Sequence, residues 1–482
     1  MSSTTEPVSP VLPPDQVPPH PERSWAGVRA LLVRLHFYAG VFVAPFLLVV
    51  AVTGLAYTFT PQLDRLVYEN WLTVDHPGGT VRPLAEQIAA ARQAYPDGTL
   101  AAVVTPPGPE DTTRVVLSLP ELGEKQRTVF VDPYTARVKG DLTTWWGSTP
   151  LTTWLDDLHR NLHLGEGGRL YSEVAASWLW VIVGGGLVLW LGRARGRRAA
   201  TVRGVLLPDR TARGVRRTRS WHAATGIWLA LGLLFLSATG MTWSHYAGDR
   251  FGRLLDATRG HAPELNTALP NAEPGGTAGG GEHAEHAEHQ AGTATADPGP
   301  ADFQKALSVA RDAGLSGIVQ ITPPAHAASA WTVAQKDNTW PVHYDQVAVD
   351  TSTGTVTART RWAEYPLLSK LSKLGVQGHM GVLFGLVNQI LLAAIAVGLI
   401  LITLWGYRMW WQRRPTRADR SSRFGTPPAR GTWRTVPLPL LITGIPLVVV
   451  LGWALPVLGV TLAAFVLTDV VAGLVRRTRG TA

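Results

Sequence analysis

Six long apolar runs constrain this chain more than any other feature. A helix needs about 20 apolar residues to cross a bilayer core. Leu35–Thr60, Val174–Gly192, Trp221–Ser244 and Val382–Gly406 reach that length, and Pro437–Trp453 and Leu455–Leu474, parted near Pro456, read as a helical hairpin. The first run is too long for the apolar part of a signal peptide and lacks a cleavage pattern. Charged residues make up only 16% of the chain, against about 25% in soluble domains. Mean hydropathy is nevertheless only +0.08, so membrane helices alternate with polar segments. The expected fold is mainly α: six transmembrane helices with two small α+β domains outside.

The arginines orient these spans. The loop Arg193–Arg219 holds ten arginines and one acid, Asp209, and Arg408–Arg434 holds eight and one acid, Asp419. Arg23, Arg29 and Arg34 precede the first run. Segment 61–158 instead carries 13 acids and 8 bases. By the positive-inside rule, both termini and both arginine loops face the cytoplasm, which makes this a multi-pass plasma-membrane protein. No basic stretch lies away from a span, so nucleic acid is not an expected partner; the lipid bilayer is.

An internal two-fold repeat organises residues 35–413. His36, Gly40, Thr53 and Gly54 match His222, Gly226, Thr239 and Gly240 at a constant offset of 186. His159, Gly165, Gly186, Trp190 and Arg193 match His379, Gly385, Gly406, Trp410 and Arg413 at a constant offset of 220. The difference falls in the second outside segment, where a low-complexity linker runs over 275–300. The outside segments also match: an amphipathic helix (Leu84–Tyr95, Phe303–Gly314), a run ending in prolines, then a strand and turn at Asp132 and Asp350. Asp132 with Thr135, and Asp350 with Thr353, suit turns closed by side-chain to backbone hydrogen bonds. The reading by segment is tail 1–34, span 35–60, outside domain 61–158, collar and span 159–192, cytoplasmic loop 193–220 and span 221–244. The second outside domain 245–378, span 379–407, loop 408–436, hairpin 437–474 and tail 475–482 follow.

Four of the 14 histidines stand at repeat-related span ends. His36 and His222 begin outward-running helices; His159 and His379 precede inward-running ones. Ionisable groups at membrane depth mark functional sites, and a neutral imidazole ligates haem iron. Two same-depth pairs suit two bis-histidine b-type haems, with Gly40, Gly54, Gly226 and Gly240 admitting a flat macrocycle. Spacing alone does not name the metal, and interfacial hydrogen-bonding histidines are the alternative. A continuous helix would set His159 about 22 Å before Val174, which keeps His163 open as the outer ligand; Leu383 denies His163 a mate. Glu166, Arg169 and Glu173 either face a pocket, with Arg169 toward a propionate, or form a solvated collar. His245 has no mate and reads as interfacial. His283, His286 and His289 sit in the linker with Glu282, Glu285 and Glu288, where a spacer and a weak metal site are the two readings. Cysteine is absent, which excludes disulfides, thiol catalysis, iron–sulfur ligation and covalent c-type haem.

These residues resemble a known group. His36-Phe37-Tyr38-Ala39-Gly40, Leu158-His159-Arg160-Asn161-Leu162 and Trp410-Trp411-Gln412-Arg413-Arg414-Pro415 look like motifs of the PepSY-associated transmembrane family of iron-regulated membrane proteins. The outside domains resemble PepSY domains. The resemblance covers about residues 25–415 and implies di-haem reduction of ferric siderophores, with haem b on His36, His222, His159 and His379. The C-terminal hairpin departs from the simple four-helix form.

The leading expectation is thus a membrane electron-transfer enzyme that reduces a ferric siderophore or other ferric chelate outside. Hard oxygen donors suit Fe(III) better than Fe(II), so reduction loosens the chelate. No G-x-G-x-x-G follows a strand, so the electron donor is expected to be a quinol or a cytoplasmic reductase rather than a dinucleotide. An iron-chelate permease and a non-enzymatic peptidase regulator are the alternatives. No catalytic side chain is assigned.

Overall fold

The computed structural model describes residues 25–195, 206–269, 298–412 and 436–480. The linker histidines His283, His286 and His289, Arg23, Arg413–Pro415 and parts of both arginine loops lie outside them. Among the described residues, four helices are long and apolar enough to cross a membrane: Gly165–Gly192, Gly214–Met241, Gly385–Gln412 and Pro456–Val475. A fifth crossing arises if α1 (Trp25–Phe42) and α2 (Ala44–Thr58) act as one span, bent by 56°. The apolar helix Leu438–Ala454 is shorter.

The bend in the first run has a sequence cause. Pro45 in the first turn of α2 lacks an N–H, and its ring crowds the carbonyl four residues back. That carbonyl, Val41 O, accepts a hydrogen bond from the Tyr407 hydroxyl at 3.3 Å. The expected single span Leu35–Thr60 is therefore two helices, and it starts earlier, at Trp25.

α3 (Thr60–Leu72) then leads out of the bundle, and α4 (Leu84–Ala94) starts the polar part. Strands β1 (Thr99–Val104), β2 (Thr113–Ser118), β3 (Gln126–Val131) and β4 (Val138–Thr144) follow. Asp132 Oδ1 closes the β3–β4 turn by accepting from the backbone N–H of Tyr134 (2.8 Å) and Thr135 (3.3 Å). α5 (Pro150–Asn161) and α6 (Gly165–Arg195) return the chain through the bundle, and α7 (Gly214–Met241) and α8 (His245–Thr258) lead it out again. The second polar segment contributes α9 (Pro300–Asp312), β5 (Val319–Thr322), β6 (Trp331–Gln335), β7 (Gln346–Asp350) and β8 (Thr355–Thr360). α10 (Leu367–His379) and α11 (Gly385–Gln412) re-enter the bundle, and α12 (Leu438–Ala454) and α13 (Pro456–Gly480) form the terminal hairpin.

The strands of the two polar segments meet in one antiparallel sheet, ordered β4-β3-β2-β1-β5-β6-β7-β8. The seam pairs Val103 with Ile321 and Val104 with Gln320. Successive strand residues point to opposite faces. Val103, Val115, Val129, Ile321, Val333 and Val347 pack on α4 and α9 around Ile88 and Phe303, all buried. Burying one such side chain contributes about 1.5–3 kcal/mol, so this shared core binds the two segments together. The opposite face carries smaller and polar groups, Arg114 among them.

In the bundle, Ala39, Leu47, Ala51, Trp178, Leu179, Leu233, Ile395 and Leu399 form the core. Small residues let helices approach closely without a hydrophobic drive between them. At Gly398 and Gly232 an added Cβ would stand 2.5 Å from Leu229 Cδ1 and 2.6 Å from Ile395 Cδ1. The hairpin joins this core through Leu458 and a 2.8 Å hydrogen bond from Trp178 Nε1 to Thr461 Oγ1. Arg34 on α1 forms an ion pair with Asp469 on α13.

Candidate functional site

His36 and His222 face each other across the bundle, with ring centres 6.2 Å apart and planes at 85°. Both imidazoles have the same anchor. His36 Nδ1 stands 3.0 Å from Ile182 O and His222 Nδ1 stands 2.8 Å from Ile402 O. A carbonyl only accepts, so Nδ1 carries the proton in both rings and the Nε2 lone pair is left available. Gly186 stands against His36 Cε1 and Gly406 against His222 Cε1, 3.4 and 3.9 Å from the place of a Cβ.

His159 and His379 form a second pair, with ring centres 6.5 Å apart and planes at 51°. Here the anchor is a threonine. Thr53 Oγ1 donates to Val49 O at 2.9 Å and lies 3.0 Å from His159 Nδ1. Thr239 Oγ1 donates to Phe235 O at 2.7 Å and lies 2.9 Å from His379 Nδ1. With its own proton committed, each hydroxyl accepts from Nδ1–H, and Nε2 again keeps its lone pair. A Cβ at Gly54 or Gly240 would lie 2.8 or 3.2 Å from the facing imidazole Cε1. These two glycines seat the histidine rings, a role that differs from the expected approach of a macrocycle. At Gly40 and Gly226, one turn beyond His36 and His222, a Cβ would meet nothing within 4 Å.

The break between α5 and α6 disposes of the 22 Å spacing. Leu162 and His163 both have φ of +55°, so the chain reverses and α5 folds back beside α2, laying His159 against Thr53. His163 points elsewhere, with its ring 5.1 Å from Trp154. His245 is exposed at the first turn of α8, 4.7 Å from the Tyr246 ring. Arg169 pairs with Glu166 at 3.6 Å. Glu173 is buried, and its carboxylate accepts from the backbone N–H of Tyr246 (3.2 Å) and Ala247 (3.0 Å). It thus caps α8, whose N-terminal dipole favours an anion. Among the described residues, no three or more His, Asp or Glu converge as a metal cluster; the histidines come in twos.

The repeat marks Thr53 and Thr239 in the sequence but gives them no task. Their spacing carries the signal, since each precedes the glycine that seats the same ring. Sequence reasoning misses Tyr57, whose ring stacks on His159 at 6.5 Å and 20°. The Ile182 and Ile402 carbonyls leave no mark in the sequence, because any residue supplies one.

The sequence pattern of the family described as PepSY-associated TM region matches residues 33–413. The chain belongs to that family. No curated protein matches it. The matched PepSY-associated region contains both histidine pairs and the sheet, and it stops short of the hairpin.

Proposed function

We propose that the protein carries two bis-histidine b-type haems and reduces ferric chelates, ferric siderophores among them, at the outer face of the plasma membrane. The observation that carries this reading is the geometry of the two histidine pairs. An iron held by two imidazole nitrogens at about 2 Å, each nitrogen about 1 Å from its ring centre, requires ring centres about 6 Å apart. The pairs stand at 6.2 and 6.5 Å with every Nδ1 anchored. All four imidazoles keep part of their surface uncovered, and the open space at Gly40 and Gly226 suits a flat group. Haem would supply a one-electron Fe(III)/Fe(II) couple at each pair. The chain's own residues fix the tautomers, leave the Nε2 lone pairs free and exclude water with an apolar core. Donors consistent with this reading are a quinol or a cytoplasmic reductase.

In this reading the bent α1–α2 pair, α12 and α13 all cross the bilayer, giving six spans with both termini inside. The two halves are copies of one unit. A reporter fused at Asp209 should signal from the cytoplasm.

The direct test is the absorption spectrum of the purified protein, oxidised and dithionite-reduced, followed by anaerobic mixing with a ferric siderophore and ferrozine. Haem bands, reoxidation and ferrozine colour are expected together. Purified protein without haem bands would sink the reading.

A further inference from the structure

Between the outer histidine pair and the sheet lies a charged layer built from Tyr57, Arg160, Arg114 and the aspartates around them. Tyr57 forms its floor. Its ring covers His159, its hydroxyl makes no hydrogen bond among the described residues, and Asp64, Asp156 and Arg160 lie within its electrostatic reach. Arg160 donates to Asp157 Oδ1 at 3.1 Å and stands 3.5 Å from Asp156 Oδ2, while its buried Nε–H has no acceptor. Burial, chiefly, raises the Asp156 carboxyl above its ordinary range; Arg160 opposes the rise and Asp157 adds to it. Asp64 is committed to the hydroxyls of Thr149 (2.7 Å) and Thr152 (2.8 Å).

Arg114 enters from the other side. Its β2 neighbours Val115 and Leu117 face α4 and α9, so alternation turns Arg114 away from those helices, between Val104 and Phe130. Two carboxylates lie within its electrostatic reach, Asp111 and Asp64. Asp111 already pairs with Arg65 at 2.8 Å, and Asp64 holds the two threonines. Among the described residues the Arg114 side chain makes no hydrogen bond or ion pair. It keeps some surface open, yet burial outweighs both carboxylates and lowers its pKa. A guanidinium offers five donors in a fork that matches a carboxylate, and the uncovered part of Arg114 leaves that fork open to a ligand.

We infer that this layer is the acceptor-binding site, in which Arg114 takes a carboxylate of an anionic ferric chelate above Tyr57. The inference rests on the proposed function and narrows its substrate class to carboxylate-bearing chelates. Citrate complexes of Fe(III) and of redox-inert Ga(III) are suitable probes, and ferrioxamine B, a cation, is the control.

The experiment uses the full-length protein in detergent. Gallium citrate should bind by calorimetry, and Arg114→Gln should weaken it by about tenfold or more, with partial return in Arg114→Lys. The KM for ferric citrate should rise by the same factor at unchanged kcat, while ferrioxamine B is unaffected. Equal binding of gallium citrate by wild type and Arg114→Gln, with haem bands intact, overturns the site and leaves the proposed function standing. Arg114-dependent binding by a protein that lacks haem does the reverse. If Arg114→Gln fails to fold, the wild type decides by mass spectrometry: gallium citrate should protect Arg114 from phenylglyoxal, and an unprotected Arg114 overturns the proposal.

Discussion

Thr53 accepts a hydrogen bond from the Nδ1–H of His159, 3.0 Å away, while donating its own proton to Val49 O. The hydroxyl fixes both the tautomer and the rotation of the ring. Partners of this kind are worth roughly 10–100-fold in metal affinity. In the proposed function, Thr53→Val should therefore weaken haem retention at the His159–His379 pair by about that factor, and Thr53→Ser should keep most of it. Haem loss to apomyoglobin, followed optically, measures the effect. Equal loss rates in wild type and Thr53→Val would show that the hydroxyl is dispensable.

The glycine behind the same ring gives a steric test. A Cβ at Gly54 would sit 2.8 Å from His159 Cε1, whereas one at Gly184 meets nothing within 4 Å. Gly54→Ala must displace the imidazole, because protein interiors lack slack for a clash of that size. It should reduce the haem content toward one per chain, while Gly184→Ala stays at two. The pyridine haemochrome assay counts them.

The proposed assignment of four histidine ligands can be read from single substitutions. His36→Ala and His222→Ala should each remove one haem, and His159→Ala and His379→Ala should each remove the other. His163→Ala should remove neither, since that ring rests on Trp154. Two haems retained in all four ligand variants would end the pairing scheme.

Much of this is legible in one dimension. Apolar run length marks spans, and a constant offset pairs His36 with His222 and His159 with His379 from the order of residues alone. What escapes the sequence depends on three-dimensional closure. The seam of Val103 with Ile321 joins residues more than two hundred positions apart, and strand alternation fixes each strand's faces but not its partner. The reversal at Leu162 and His163 puts two non-glycine residues at positive φ, a conformation that local propensity disfavours. Pro45 does signal the bend after Phe42, but an unbroken apolar run conceals it.

The terminal hairpin is the segment with the least sequence explanation, and Arg34 with Asp469 supplies one. The Arg34 side chain is 5% exposed and that of Asp469 27%, and the guanidinium also lies over Tyr38 at 5.2 Å. The repeat puts Ser220 opposite Arg34, so the cation belongs to the first half alone and its carboxylate comes from outside the repeat. Removing one partner of a buried pair costs about 3–5 kcal/mol, whereas replacing both with apolar groups is often neutral. Asp469→Asn should therefore lower the Tm of the purified protein, toward the small end of that range because Asp469 is partly exposed. The double variant Arg34→Met, Asp469→Leu should recover most of the loss. Haem content should stay at two in both, because the four histidines and the groups that anchor their Nδ1 atoms are left unchanged. Recovery in the double variant separates a structural clamp from a charge needed for activity. Equal destabilisation in single and double variants would mean that the hairpin is held by packing at Trp178, Thr461 and Leu458 instead.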